Sequence, residues 1–230
     1  MLVLEASAEN VNAVLAAEDK LGIPKPLTVH HFILKNPNKS LIILFTWGSP
    51  DHDKGHEYLD TFTAELPGIQ MKTVDAKTVI EQQESAMHPC LPWGGQRSIY
   101  IKEMTPDVVK MVMEALDTMP QDVNMGWSMT TTGASTPANT FGAGTHILFS
   151  FSDLVSEESR LPEARKWNDA LYDRMRSSGS SAIMEGSYPP LTRPGDRSAE
   201  QLFGEKYPRA RALKGKFDPE NVFKYAVPRM

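Results

Sequence analysis

Two strand-like runs joined by a short turn constrain the fold of this chain more than any other feature. The runs Leu27–Leu34 and Ser40–Trp47 are rich in β-branched, aromatic and other apolar residues. Between them lies Asn36-Pro37-Asn38-Lys39, whose composition is typical of a turn. The pattern therefore predicts an antiparallel β-hairpin.

The remaining segments alternate between strand-like and helix-like patterns. We predict strands at 2–5, 70–74, 98–104, 125–132 and 145–151, and helices at 7–22, 54–65, 108–119, 161–177 and 198–214. Strands in pairs with helices interposed between them are typical of an α+β fold with a single antiparallel β-sheet and helices packed on one face. We expect one domain over residues 1–230.

Composition and charge exclude several classes of protein. Hydrophobic residues make up 40% and charged residues 23% of 230 residues, and the formal net charge is −5 with both signs interspersed. This charge pattern does not form the basic surface that nucleic acid requires. The longest apolar run, residues 41–45, is far too short to span a membrane. The first residues carry no basic segment of a secretory signal, which favours the cytosol.

Cysteine and histidine provide few candidates for redox or metal chemistry. Cys90 is the only cysteine, so no intrachain disulfide is possible. His52 and His56 are four residues apart in a predicted helix, with nearby acidic residues, but spacing fixes no third ligand. We interpret them as part of a solvated first turn and expect no metal site.

Strand parity divides the candidate site residues between the two faces of the sheet. In the strand at 98–104, Ile99 and Ile101 suit the helix side, so Tyr100 and Lys102 are predicted on the open face. Of the adjacent pair His30 and His31, we favour His30 for the open face. A tyrosine and a lysine can donate hydrogen bonds to a carbonyl. The alternative is an ordinary solvated sheet face.

The next strand carries an apolar set with a tryptophan at its centre. Four residues share one face of the predicted strand: Met125, Trp127, Met129 and Thr131. Such a face suits a flat aromatic or polyene ligand on the open side of the sheet. Simple core packing is the alternative interpretation and is at least as well supported.

The C-terminal thirty residues resemble a known family. The segments 202–207, 211–214 and 217–223 read Leu-Phe-Gly-Glu-Lys-Tyr, Arg-Ala-Leu-Lys and Phe-Asp-Pro-Glu-Asn-Val-Phe. This succession resembles the closing motif of the berberine bridge enzyme-like FAD-linked oxidases. Asp218 before Pro219 predicts a turn, and Phe217 and Phe223 are predicted to anchor the tail in the core.

Weaker matches to the same family follow in the same order along the chain. Trp47-Gly-Ser-Pro-Asp resembles a strand-turn-helix step, and Trp93-Gly-Gly-Gln-Arg resembles the segment before a substrate-facing strand. Thr140-Phe141 resembles the Thr-Ala-Phe step into a further strand. The resemblance implies the fold of the family's C-terminal, substrate-binding half, without the FAD-binding half and its glycine-rich loop.

Three departures from the family pattern bear on the cofactor. The family's Tyr-x-Asn segment is similar to Tyr188-Pro189-Pro190 here, and its His-Arg pair is replaced by Gly142-Ala143. After Phe223 the family shows polar residues that help close the flavin site, where this chain has Ala226 and Pro228. These replacements fit a lineage that no longer uses FAD.

The resemblance implies two functions of different classes. The first is a flavin-independent enzyme of specialised metabolism, a cyclase promoting a Diels–Alder or hetero-Diels–Alder cycloaddition in an apolar pocket, without a cofactor. The second is a C-terminal subunit or fragment that completes a berberine-bridge-type FAD-dependent oxidoreductase. A simple ligand-binding module is a third reading that no residue decides.

The candidate residues belong to the first reading, in which they line the apolar pocket of the cyclase. The expected catalytic set is Tyr100, Lys102, His30 and His146, and the expected substrate-binding set is Trp127, Met125, Met129, Thr131, Phe32 and Trp93. The expected substrate is a small hydrophobic or aromatic molecule. We also expect homodimerisation through the bared sheet face, and no binding to nucleic acid or membrane.

Overall fold

A computed structural model describes residues 1–35, 38–66, 68–71, 93–121, 123–130 and 146–224 of the chain. The strands are β1 (Leu2–Glu5), β2 (Leu27–Leu34), β3 (Ser40–Trp47), β4 (Gln70–Met71), β5 (Gln96–Ile101), β6 (Asn124–Thr130) and β7 (His146–Ser152). The α-helices are α1 (Ala8–Leu21), α2 (His52–Ala64), α3 (Pro106–Thr118), α4 (Leu161–Ser177), α5 (Ala199–Phe203) and α6 (Tyr207–Phe217).

The described strands form one antiparallel sheet in the order β4-β1-β3-β2-β6-β7-β5. The predicted hairpin is its centre, with β2 and β3 paired along all eight residues from Leu27 opposite Trp47 to Leu34 opposite Ser40. Only β4, with two residues, is shorter than four residues. The predicted α+β class and single antiparallel sheet are confirmed.

Helix α1 forms where its cap residues predict. The Ser7 side chain accepts a hydrogen bond from the backbone N–H of Asn10 at 3.1 Å. At the other end Gly22 has a φ of +62°, and its N–H donates to the carbonyl of Glu18 at 3.0 Å. Glycine adopts this left-handed conformation without steric cost, so it ends the helix and turns the chain toward β2.

One face of the sheet is packed against helices α1 to α4 and carries the main core. Alternate residues of the strands point to this face, and α1, α2, α3 and α4 contribute the opposing side chains. Its fully buried strand residues include Leu2, Ile33, Leu41, Ile43, Ile99, Ile101, Met125, Phe149 and Phe151. Isoleucines 99 and 101 lie on the helix side, as their parity predicts.

The segment after α4 returns along the edge of the sheet. We call residues 182–191 the strap: it runs beside β5, with Ile183 paired as an isolated bridge to Ile101. A network of ion pairs joins this side of the molecule. Arg97 donates to both carboxylate oxygens of Asp196, at 2.6 and 2.8 Å, and to Asp169 at 2.6 Å.

The C-terminal helix pair α5 and α6 lies apart from the main core. Its own small cluster contains Ala199, Phe203 and Ala210, with Tyr207 packed against them. The prediction that Phe217 and Phe223 anchor the tail in the core is wrong, because these side chains are 73% and 71% exposed. The turn at Asp218 is present: its carboxylate accepts from the N–H groups of Val222 and Phe223.

Several boundaries differ from the predicted ones. Strand β5 begins earlier and ends at Ile101, since Lys102 starts a bend before the proline at the first turn of α3. The predicted helix at 198–214 is interrupted at Gly204, which has a φ of +54° and ends α5. Within the described residues, no helix is both long and apolar enough to cross a bilayer.

Candidate functional site

The face of the sheet opposite the helices holds the candidate site. Strand β2 alternates between buried and accessible residues, with Val29, His31 and Ile33 on the helix side. His30 and Phe32 therefore lie on the open face, as predicted, and Phe32 is 37% exposed. We call this surface the open face.

The strand register aligns four described open-face side chains in one row across the sheet. His30 is opposite Leu44 on one side and Ser128 on the other, Ser128 is opposite Leu148, and Leu148 is opposite Tyr100. With strands about 4.8 Å apart, His30 and Tyr100 are separated by roughly 14 Å. At this separation the two side chains cannot both contact a single functional group.

Tyr100 and His146 are in direct contact. Their ring centroids are 4.0 Å apart with the planes inclined at 56°. Both side chains are largely covered, with exposures of 5% for Tyr100 and 8% for His146. Two of the four predicted catalytic residues are thus brought together, at one end of the row.

The strap places a second phenol, that of Tyr188, in the neighbourhood of Tyr100. Tyr188 is 39% exposed and lies close enough to act electrostatically on the Tyr100 hydroxyl. Its backbone N–H donates to Ser98 Oγ at 3.0 Å, and its carbonyl accepts from Thr192 Oγ1 at 2.8 Å. These bonds fix Tyr188 at the edge of the open face beside β5.

The electrostatics of this end of the row favour neutral hydrogen-bond donors. Burial, and secondarily the neighbouring Tyr188, raise the pKa of Tyr100 to about 12. Tyr100 therefore keeps its proton at physiological pH. Its hydroxyl can donate a hydrogen bond to a carbonyl or phenolate oxygen. At the other end, burial and the adjacent His31 lower the pKa of His30, which favours the neutral imidazole.

Lys102 and Trp93 do not lie in the row of open-face side chains. Trp93 precedes the first residue of β5, and Lys102 follows the last. Lys102 follows the strand, its side chain is exposed, and its N–H donates to the carbonyl of Ala182 at 2.8 Å. Trp93 forms an isolated bridge with Val155 and is 38% exposed. The prediction that Lys102 continues the strand with Tyr100 is wrong, because the strand ends one residue earlier.

The predicted apolar floor lies on the other side of the sheet. Met125 and Trp127 pair with Ile33 and His31, whose side chains are in the core, and are themselves 0% and 2% exposed. The prediction that these two residues face the open side is wrong. The alternative, simple core packing, is correct. The apolar residues of β6 pair with those residues of β2 whose side chains point toward the helices.

Two further residues of that set have no described side-chain position. Met129 belongs to β6, opposite Ile147, but its side chain lies outside the described part of the chain. Thr131 lies outside the described residues altogether. Both remain predictions.

Trp127 takes part in a buried polar cluster that the sequence pattern did not indicate. Its indole ring stacks on His31, with centroids 4.5 Å apart and planes at 9°. His31 Nε2 is 2.7 Å from Glu18 Oε1, and both side chains are fully buried. His31 Nδ1 lies 3.2 Å from the carbonyl of Trp127, so both ring nitrogens face acceptors.

No metal centre is present in the described portions of the chain, where no three His, Cys, Asp or Glu side chains are grouped suitably. His52 lies in the first turn of α2, which Asp51 caps by accepting from the N–H of Lys54.

Comparison with known proteins shows similarity to flavin-linked oxidases. Residues 191–227 match the family model described as "Berberine and berberine like". An FAD-linked oxidoreductase, aurO from Gibberella zeae, is 28% identical over 134 residues, which are 56% of this chain and 26% of that protein. The chain is therefore similar to berberine bridge enzyme-like proteins in its C-terminal segment.

Two solved structures share the fold. The BBE-like 1 protein of Physcomitrella patens superposes with a TM-score of 0.73 at 11% identity, covering 96% of this chain and 51% of that one. Aclacinomycin oxidoreductase gives a TM-score of 0.69 at 11% identity, covering 96% of this chain and 53% of that one. The chain thus spans about half the length of these proteins and about a quarter of the curated relative.

Tyr188 is the functional candidate that our sequence reasoning did not include. In the sequence it is part of a family-like Tyr-Pro-Pro segment. It is near Tyr100 only because the fold brings together two residues that are 88 positions apart. The signal that could have found it is the tyrosine of the family's Tyr-x-Asn segment. Strand parity could not, because Tyr188 is not in a strand.

Proposed function

We propose that this chain supplies the substrate-binding half of an FAD-linked oxidoreductase site, with the flavin held mainly by a separate domain. The observation that carries the proposal is the position of the family motif. The aromatic residues of that motif, Phe217 and Phe223, are exposed together with Leu213 and Val222. Large apolar side chains that cluster at a surface favour contact with another protein unit.

The open face fits one side of a flat ring system. Phe32 is exposed, Leu44 and Leu148 are partly exposed, and Tyr100 provides a hydrogen-bond donor at the end of their row. The described residues do not include a glycine-rich loop that leads into a helix, which is the usual cradle for a dinucleotide pyrophosphate. The residues present therefore suit the ring and substrate end of an FAD site rather than its phosphates.

The roles of the side chains follow from their chemistry. In this proposal FAD would supply the redox chemistry. Tyr100 would bind a substrate oxygen as a neutral donor with the Tyr188 hydroxyl nearby, and His146 would orient the Tyr100 ring from the side. His30 and Phe32 would contact the far end of a flat, largely apolar substrate.

The test is a titration of FAD into the purified chain, alone and mixed with the part of the Gibberella zeae FAD-linked oxidoreductase that this chain does not match. We expect retention of flavin absorption by the mixture only. Phe217→Ser combined with Phe223→Ser should weaken that retention at least about tenfold, because each removes an exposed aromatic anchor. Lys110→Ser, a change at an exposed residue of α3, is the control and should leave it unchanged.

A flavin-free cyclase is the second candidate, favoured by one specific observation. Tyr100 stays protonated beside an apolar row, and a neutral donor to a carbonyl is what a Diels–Alder or hetero-Diels–Alder cycloaddition requires of a protein. The residues at Ala226, Pro228 and Gly142-Ala143 also depart from the family pattern. Failure of the chain and of the mixture to retain FAD, together with turnover of a diene substrate, would favour this function over the first.

A further inference from the structure

The strap is bonded to β5 on both sides of Tyr100. The N–H of Tyr100 donates to the carbonyl of Gly186 at 3.3 Å, and its carbonyl accepts from the N–H of Met184 at 2.9 Å. The strap therefore continues the sheet for a few residues at the edge where Tyr100 lies. Whatever fixes the strap also fixes the surroundings of the Tyr100 ring.

Gly186 is in close contact with the Tyr100 ring. A Cβ atom added at this position would lie 2.8 Å from Cδ2 and 3.4 Å from Cε2 of Tyr100. Carbon atoms do not approach so closely, so any side chain at position 186 would displace the ring or lift the strap. The glycine is needed here for space.

Arg176 holds the strap from the other side. Its guanidinium donates to the carbonyls of Met184 and Gly186, the latter at 3.1 Å, and to Ser187 Oγ at 2.7 Å. It also lies over the Tyr172 ring, 5.3 Å from the centroid. Burial lowers the pKa of Arg176, and the buried charge is used to bind strap oxygens.

We propose that Arg176 and Gly186 are positioning residues for the Tyr100 phenol: Arg176 holds the strap against β5, and Gly186 lets the strap cover the ring. Both act through Tyr100: Arg176 by its hydrogen bonds to the strap and Gly186 by its contact with the ring. The functional meaning of this inference rests on the proposed role of Tyr100 as a donor to substrate. The physical claim concerns the exposure and protonation of one phenol.

The experiment is a pH titration of ¹³C-labelled tyrosines by NMR, in the full chain without FAD or substrate. The chain has six tyrosines, and Tyr100→Phe assigns the Tyr100 signal. In the unmodified chain that signal should titrate near pH 12. In Arg176→Gln and in Gly186→Ala the midpoint should fall by at least about one pH unit, because water reaches the loosened phenol.

Matched controls separate this effect from a general loosening of the fold. Arg174→Gln changes a half-exposed arginine of the same helix that bonds Glu114 instead, and Gly215→Ala adds a methyl group with no atom within 4 Å. Both should leave the midpoint at its original value. Arg176→Lys keeps the charge but removes the planar guanidinium with its several N–H donors. Its titration midpoint should lie between those of the unmodified chain and Arg176→Gln.

The inference is overturned if Arg176→Gln and Gly186→Ala fold, by circular dichroism, and the Tyr100 midpoint is unchanged in both. If Arg176→Gln does not fold, Gly186→Ala and Arg176→Lys decide the question by the same criterion. Because the titration involves neither flavin nor substrate, failure of the proposed function would not alter its result. Conversely, a displaced phenol with normal substrate turnover would reject Tyr100 as a donor and leave the positioning intact.

Discussion

The helix-covered face of the sheet and the C-terminal helix pair treat aromatic side chains in opposite ways. On the sheet, Trp127 and Phe149 are almost completely buried, and every neighbouring strand contributes apolar side chains to the same layer. In α6 and the turn that follows, Phe217 and Phe223 are more than two-thirds exposed. The sheet packs against the helices of the same chain, whereas the aromatic side chains of the C-terminal motif are exposed to solvent.

This difference teaches that contacts within the described chain stabilise the two regions to different extents. The sheet and its helices can fold on the burial of their own surface. The helix pair has a cluster of only three buried residues with Tyr207 against it, which is a small apolar gain for the order it requires. Substitutions should therefore have clearly different effects on the stability of the two regions.

The largest effect is expected in the core of the sheet. Trp127→Ala should lower the free energy of unfolding by about 3–5 kcal/mol, because it removes a buried indole and the ring that stacks on His31. Urea denaturation followed by circular dichroism measures the change. A loss below about 1 kcal/mol would mean that β6 is not packed as described.

The buried pair of Glu18 and His31 should show strong coupling. Glu18→Leu or His31→Leu alone leaves a polar partner buried without its contact and should cost about 3 kcal/mol or more. The double substitution removes both partners and should cost less than the sum of the two. Additive losses in a double-mutant cycle would contradict a direct interaction between these side chains.

Alkaline pH should weaken the fold through Tyr100. Its folded pKa of about 12 lies above its ordinary value of 10.0, so the folded state holds this proton more tightly. The related stability is present below pH 10 and is lost as the pH rises through 12, by roughly 1–3 kcal/mol. Tyr100→Phe should remove this part of the pH dependence; an unchanged slope between pH 10 and 12 would show that the phenol is solvated.

The smallest effect is expected at the exposed motif. Phe217→Ser should change the free energy of unfolding by less than about 0.5 kcal/mol, because its ring is already in contact with solvent. The same urea experiment provides the measurement, with Trp127→Ala as the sensitive reference. A loss comparable to that of a core residue would show that the tail packs inward in solution and would remove the contrast between the two regions.

The sequence predicted the elements that depend on local chemistry. The hairpin follows from alternation and a turn composition, α1 follows from Ser7 and Gly22, and the opposite faces of His30 and His31 follow from strand parity. Family resemblance added the fold of the whole sheet. These features need no knowledge of distant contacts.

The errors concern choices that only the assembled sheet decides. Parity groups Met125 with Trp127 but does not say which face the helices cover; the pairing of β6 with β2 decides it. Phe217 and Phe223 looked like core anchors because aromatic residues usually are, but no core surface lies against them among the described residues. Tyr188 reaches Tyr100 only because the strap folds back along β5.

The most direct test of the account is the visible absorption of the purified chain, measured after incubation with micromolar FAD in the absence and presence of the part of the Gibberella zeae FAD-linked oxidoreductase that this chain does not match. We predict a colourless chain alone and a mixture that retains flavin through gel filtration. Flavin bound by the chain alone would contradict the division of the site between two units. A mixture that never retains flavin would contradict the oxidoreductase proposal itself.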